Sequence, residues 1–120
     1  MNLMEELRGL GVNIEEALKR LRGNEELFIE LILGIPEDVA DYDVGACLQK
    51  GDYANAALNA HALKGEMANL GVIPLFDWYD SINRLLKENK VEEAQREYAK
   101  GVDTLNTFLE CIEKYETFNI

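Results

Sequence analysis

The chain has 120 residues and a formal net charge of −11, with 12 Lys and Arg against 23 Asp and Glu. The length suits one domain with a single core. The charge argues against binding to nucleic acid or to an anionic membrane surface, because both require a basic footprint. No apolar run approaches the roughly 18 residues of a membrane span, and the amino terminus lacks a secretion signal. We therefore expect a cytoplasmic protein.

Histidine and cysteine are too sparse for an obvious metal centre. The chain has one histidine, His61, and two cysteines, Cys47 and Cys111. They show no metal-ligand spacing, which argues against a zinc or di-iron site. Two distant cysteines without a secretion signal indicate reduced thiols rather than a disulfide.

Short helices are predicted at the amino terminus. Leucines at helical spacing indicate one helix within residues 1–11, which glycines end. Asn13 is a candidate N-cap for a second helix of two turns, which Gly23 closes.

The segment 24–50 is predicted to be helical with one interruption. Asn24 supplies an N-cap, and Pro36 either kinks the helix or begins a new one. The apolar stripe continues beyond Pro36 at Val39, Tyr42 and Ala46, so we expect helix to about Lys50.

Three longer helices follow, each with a clear start or stop signal. The pair Gly51-Asp52 ends one helix and caps the next, which is predicted over about residues 53–70 and stops at Gly71. A proline in its first turn opens the following helix, over about 74–89. The last helix is predicted over about 91–115.

Amphipathic helices joined by short turns predict an all-α fold. Short connections force neighbouring helices to run antiparallel. We therefore expect an up-down antiparallel four-helix bundle with short additional N-terminal helices. Residues 1–120 are expected to form one domain, of a size compatible with a monomer.

The helix around His61 has two contrasting faces. Apolar residues recur along one stripe at spacings of three and four, which predicts a face packed against the core. They are Ala56, Ala60, Leu63, Met67 and Leu70. His61 points about 145° away from the middle of that stripe, so we expect it at the surface. Its neighbours there are small apart from Lys64, and Gly65 costs the helix about 1 kcal/mol relative to alanine.

This exposed face has two interpretations. In the first, a neutral imidazole at His61 is a nucleophile toward phosphorus. Lys64, one turn away, neutralises phosphoryl oxygens, and Gly65 lets another molecule approach closely. In the second, a solvated surface histidine lies beside a lysine, as is common on helices. The chain has no glycine-rich phosphate loop, Walker-type sequence or kinase motif, so we expect no ATP-dependent activity of its own.

The sequence His61-Ala62-Leu63-Lys64-Gly65, followed by Ala68-Asn69-Leu70-Gly71, resembles the hallmark of histidine-containing phosphotransfer (HPt) domains. That hallmark is His-x-Leu-Lys-Gly followed by a small residue and Asn-Leu-Gly. The likeness covers about residues 11–115 and includes Gly51-Asp52 ahead of the histidine helix.

The resemblance implies a phosphorelay intermediate in a two-component system, a phosphocarrier rather than an enzyme. Such domains accept a phosphoryl group from the aspartate of one response-regulator receiver domain and pass it to another. The receiver supplies Mg²⁺, so no cofactor is intrinsic, and a hybrid sensor histidine kinase is a further expected partner. By motif match, His61 would be phosphorylated, Lys64 would stabilise the phosphoryl charge and Gly65 would give steric access. The implied partner-binding residues are Ala57, Leu58, Ala68 and Asn69.

Two positions depart from the family pattern. Glu66 and Met67 stand where the family often has Ser and another small residue. Glu66 lies about 140° around the helix from His61, so we expect no direct repulsion of the phosphoryl group. Met67 falls on the core stripe and is expected to fill space. Both departures bear on the choice of partner.

Two other functions remain open. In the first, the chain is a non-catalytic helical adaptor that binds receiver domains through the same face. In the second, it is a phosphoacceptor domain cut from a larger sensor kinase. The start at Met1 favours a free-standing protein over the second of these.

Overall fold

The computed structural model describes residues 2–118 and is all-helical, as predicted. Over that range the only pairing of extended backbone is an isolated antiparallel bridge between Val12 and Val72. Residues 2–118 form eight successive helices: α1 (Leu3–Gly9), α2 (Ile14–Arg20), α3 (Glu25–Leu33), α4 (Ile35–Asp41), α5 (Val44–Lys50), α6 (Tyr53–Asn69), α7 (Ile73–Lys87) and α8 (Val91–Phe118). None of the helices in residues 2–118 combines the length and the apolar character needed to cross a membrane.

Short polar side chains begin most of the helices. In each case a side-chain oxygen accepts a hydrogen bond from the backbone N–H three residues further on, which satisfies one free donor of the first turn. The capping residues are Asn2, Asn13, Asn24, Asp43 and Asp52. The predicted caps at Asn13, Asn24 and Asp52 are confirmed.

The segment after Asn24 is more broken than predicted. Pro36 lies in the first turn of α4, so it begins a new helix rather than kinking a continuous one. The predicted continuation to Lys50 is wrong, because a second break follows at Tyr42. The Asp43 side chain caps α5 through the Ala46 N–H at 3.0 Å, and Tyr42 is exposed instead of lying on the core stripe.

The three long helices pack in chain order and form most of the core. Helix α6 packs against α5 and α7, and α7 packs against α8. The stripe predicted for α6 is buried throughout, including Leu70 just past its end. The C-terminal end of α6 is fixed by Gly71, whose carbonyl accepts a hydrogen bond from the Asn13 N–H at 2.8 Å. Gly71 has a φ of +70°, and a Cβ there would collide with the Asn13 backbone.

Candidate functional site

Helix α6 is held firmly along the side opposite His61. Ala56, Ala60, Leu63 and Met67 are completely or almost completely buried. Two of the four are alanines, which lets the neighbouring helices approach closely. One face of α6 is therefore anchored in the core, and the opposite face remains at the surface.

The outer face of α6 is open. His61 is exposed, as predicted, and so are Leu58, Ala62, Gly65 and Asn69. These five residues share one side of the helix and are called the docking face below. Leu58 is 66% exposed, a large apolar side chain that contributes nothing to this chain's own core.

The four partner-binding positions implied by the resemblance divide into two pairs. Leu58 and Asn69 lie on the docking face, whereas Ala57 and Ala68 are half-buried beside it. The Ala57 carbonyl accepts a hydrogen bond from Asn83 Nδ2 at 2.8 Å. The Ala68 carbonyl accepts one from Arg20 Nη1 at 3.1 Å. These two alanines therefore lie where α6 meets its neighbours, at the border of the docking face.

Lys64 is ion-paired rather than free in solvent. Its Nζ lies 3.0 Å from Asp80 Oδ1 on α7, and the two side chains are 22% and 33% exposed. The other oxygen of Asp80, Oδ2, lies 3.3 Å from Arg84 Nη1. Lys64 sits one turn after His61 on α6, so the two side chains leave the helix at neighbouring positions on its surface.

Asp80 and Arg84 were missed by the sequence reasoning. Their spacing of four residues on α7 is a readable ion-pair signal. The link to Lys64, however, depends on how α6 and α7 align, and no local pattern encodes that alignment.

Gly65 has open surroundings. A Cβ added there would meet no atom of the described chain within 4 Å, apart from its own helix and chain neighbours. The glycine is exposed and lies inside a helix of 17 residues, where alanine is the better helix former. Neither a turn nor internal packing accounts for glycine at this position.

A cleft of about 540 Å³ borders the docking face on the side of α3 and α4. Gly65, Ala62 and Leu31 contribute to its wall, together with two acidic side chains, Asp38 and Glu66. Burial raises the pKa of Glu66 to about 8, and its hydrogen bond with Asp38 and that carboxylate's charge add to the shift. The Glu66 side chain thus faces α4 and not His61, which agrees with its predicted direction.

Metal-ligating side chains and thiols are the other candidate reactive groups. Across residues 2–118, no group of three or more His, Cys, Asp and Glu is arranged to hold a metal ion. Cys47 and Cys111 are free thiols, and Cys47 Sγ accepts a hydrogen bond from Asn59 Nδ2 at 3.5 Å. Burial raises the pKa of the Cys111 thiol, which disfavours the reactive thiolate.

No family model, curated protein or solved structure matched this chain when it was compared with each.

Proposed function

We propose that this protein is a phosphorelay intermediate of the histidine-containing phosphotransfer type. It accepts a phosphoryl group on His61 from the aspartyl phosphate of a receiver domain and passes it to a second receiver. One observation carries the proposal: an exposed imidazole on a smooth helix face, with a tethered ammonium one turn away and an open glycine beside it.

The transfer requires little from this chain beyond its nucleophile. A ring nitrogen of neutral His61 attacks phosphorus with its lone pair, and the N–P bond forms as the aspartyl O–P bond breaks. The receiver's carboxylate leaves with the electron pair of that bond. The reverse reaction, on the aspartate of the next receiver, regenerates the imidazole. Mg²⁺ acts from the receiver, and Lys64 offsets the charge on the phosphoryl oxygens.

The up-down four-helix bundle expected for this family is part of the same proposal. Its support is that Asn83 contacts Ala57, whereas the earlier Asp80 contacts the later Lys64. Residues further along α7 thus lie beside earlier residues of α6, as in antiparallel neighbours. A monomer in the cytoplasm, without an ATP site of its own, completes the proposal.

A second function is favoured by exposed apolar side chains on the docking face and beside it. Leu58 on α6 and Leu31 on α3 are exposed apolar side chains that suit a protein contact. A non-catalytic adaptor would use this surface to bind receiver domains without transferring phosphate.

Transfer from a radiolabelled phosphorylated receiver, in the presence of Mg²⁺, tests the proposal. We expect label on the chain that is acid-labile and base-stable, as is typical of phosphohistidine, and we expect none on the His61→Gln variant. Label that persists in His61→Gln would exclude His61 as the acceptor. Receiver binding by both forms, with label on neither, would instead favour the adaptor.

A further inference from the structure

Asp80 joins two cations that come from different helices. Its two carboxylate oxygens pair separately with Lys64 of α6 and Arg84 of α7. Of all the ion pairs formed within residues 2–118, the pair of Lys64 and Asp80 is the least exposed. Water and salt therefore screen it less than the surface pairs elsewhere on the molecule.

The backbone positions of Lys64 and Arg84 lie on either side of the level of His61 along α6, and both of their cationic groups pair with the Asp80 carboxylate. Lys64 is one turn after His61. Asn83, the residue before Arg84, donates a hydrogen bond to the carbonyl of Ala57, one turn before His61. The edge of α7 that carries Asp80 and Arg84 thus runs along the His61 segment of α6.

Phosphorylation changes the charge balance at this edge. The chain already carries a net charge of −11, and a phosphoryl group adds about two further negative charges near pH 7. Lys64 is then shared between two anions, the Asp80 carboxylate and the phosphoryl oxygens. Asp80 holds Lys64 in place while His61 is unphosphorylated. Once His61 is phosphorylated, the negative charge of Asp80 repels the phosphoryl group.

We propose that Asp80 is a positioning residue that holds Lys64 beside His61 and competes with the phosphoryl group for it, which keeps the phosphohistidine transferable. The inference rests on the proposed function and assigns a controlling residue to the same site. On phosphorylation, the Lys64 ammonium exchanges Asp80 Oδ1 for a phosphoryl oxygen, and no proton moves. Arg84 remains on Oδ2 and partly neutralises the carboxylate that Lys64 has left.

Chemical phosphorylation tests this without any receiver. Phosphoramidate transfers its phosphoryl group to an imidazole nitrogen: its own P–N bond breaks, the new N–P bond forms and ammonia leaves. The lifetime of the phosphohistidine is then followed by phosphorus NMR. In Asp80→Asn we expect a lifetime about three- to tenfold longer than in the parent, because one competing charge has been removed. The matched control Asp103→Asn, at an exposed position on α8, should leave the lifetime unchanged.

Two further measurements separate this role from a structural one. In the unsubstituted protein, the Lys64 side-chain nitrogen resonance should shift on phosphorylation, which needs no variant that might unfold. In the Lys64→Met background, the effect of Asp80→Asn should fall to less than half of its size, as a double-mutant cycle measures. Asp80→Glu, which keeps the charge, should restore most of the parental lifetime.

The outcomes separate a failure of the role of Asp80 from a failure of the proposed phosphotransfer. A lifetime in Asp80→Asn equal to that in Asp103→Asn, or an unchanged Lys64 resonance, overturns the role of Asp80 and leaves phosphotransfer intact. A His61 that neither phosphoramidate nor a phosphorylated receiver labels contradicts the proposed function itself.

Discussion

In the proposed phosphotransfer, Gly65 is the residue at which the stability of the helix and access to His61 conflict. Alanine in a helix interior is more favourable than glycine by about 0.5–1 kcal/mol, and the added methyl group meets no described atom within 4 Å. We expect Gly65→Ala to raise the free energy of unfolding by about this amount. We also expect it to slow transfer from a receiver, since the methyl group occupies the approach to His61. Urea denaturation and the transfer assay measure the two effects.

Gly9→Ala is the control for that pair of effects. Gly9 also has open surroundings and lies at the end of α1, outside the docking face. We expect it to leave the transfer rate unchanged. Full transfer activity in Gly65→Ala would show that the glycine is not there for partner access.

Glu66 makes the free energy of unfolding depend on pH. Its pKa is about 8 in the folded chain against 4.5 for an ordinary glutamate. The folded state therefore binds this proton more tightly than the unfolded state, and the free energy of unfolding falls as pH rises through that interval. Glu66→Gln removes the titration. We expect the melting temperature to decrease less between about pH 5 and about pH 8 in this variant than in the parent.

An acid elsewhere on the surface provides the comparison for Glu66. Glu110→Gln, at an exposed position on α8, should retain the parental dependence of melting temperature on pH. Identical pH profiles for Glu66→Gln and Glu110→Gln would mean that burial and the contact with Asp38 do not raise the pKa of Glu66 in the folded chain.

At the scale of the element, α6 is positioned by its contact with α7. Asn83 is only 2% exposed and donates its side-chain hydrogen bond to the Ala57 carbonyl, in the turn that precedes His61. Asn83→Ala removes both the packing and the hydrogen bond. We expect a loss of about 1–2 kcal/mol in the free energy of unfolding, measured by urea denaturation. Asn106→Ala, on the exposed side of α8, should change stability by about 0.5 kcal/mol at most.

The individual helices show which features a sequence can predict. The limits of α6 follow from local chemistry, because Asp52 caps its start and Gly71 adopts a positive φ just after its end. The break before α5 was not predicted, because the apolar spacing continues across Tyr42 and a helix cap at Asp43 competes with it. The exposure of His61 followed from helical periodicity alone.

The surroundings of the site were harder to predict than its centre. Lys64 and Asp80 are 16 residues apart and meet only because α6 and α7 pack in one alignment. The contact between Glu66 and Asp38 likewise joins α6 to α4. Both depend on packing between helices, which the local pattern of a single sequence does not reveal.

At the scale of the whole molecule, a group of aromatic rings joins the carboxyl-terminal helices. Trp78 of α7 stacks on Tyr98 of α8 with ring centroids 5.1 Å apart, and its Nε1 donates to the Glu97 carbonyl at 2.8 Å. Two glycines make room for the rings: Gly101 lies against Trp78, and Gly45 of α5 lies against Tyr98. The rings therefore connect α5, α7 and α8, and α6 packs against two of these helices.

The same substitution should have opposite effects at two glycines of this molecule. At Gly101 a Cβ would overlap the Trp78 indole, so Gly101→Ala forces the ring or α8 to shift. We expect a loss of about 1–3 kcal/mol in the free energy of unfolding, whereas Gly65→Ala increases it.

Because Trp78 is the only tryptophan, its fluorescence during urea denaturation reports on the ring contact, and circular dichroism reports on all the helices. A single cooperative domain should give coincident transitions by the two probes in both variants. Stabilisation by Gly101→Ala would mean that the helix preference for alanine outweighs the close packing of the rings.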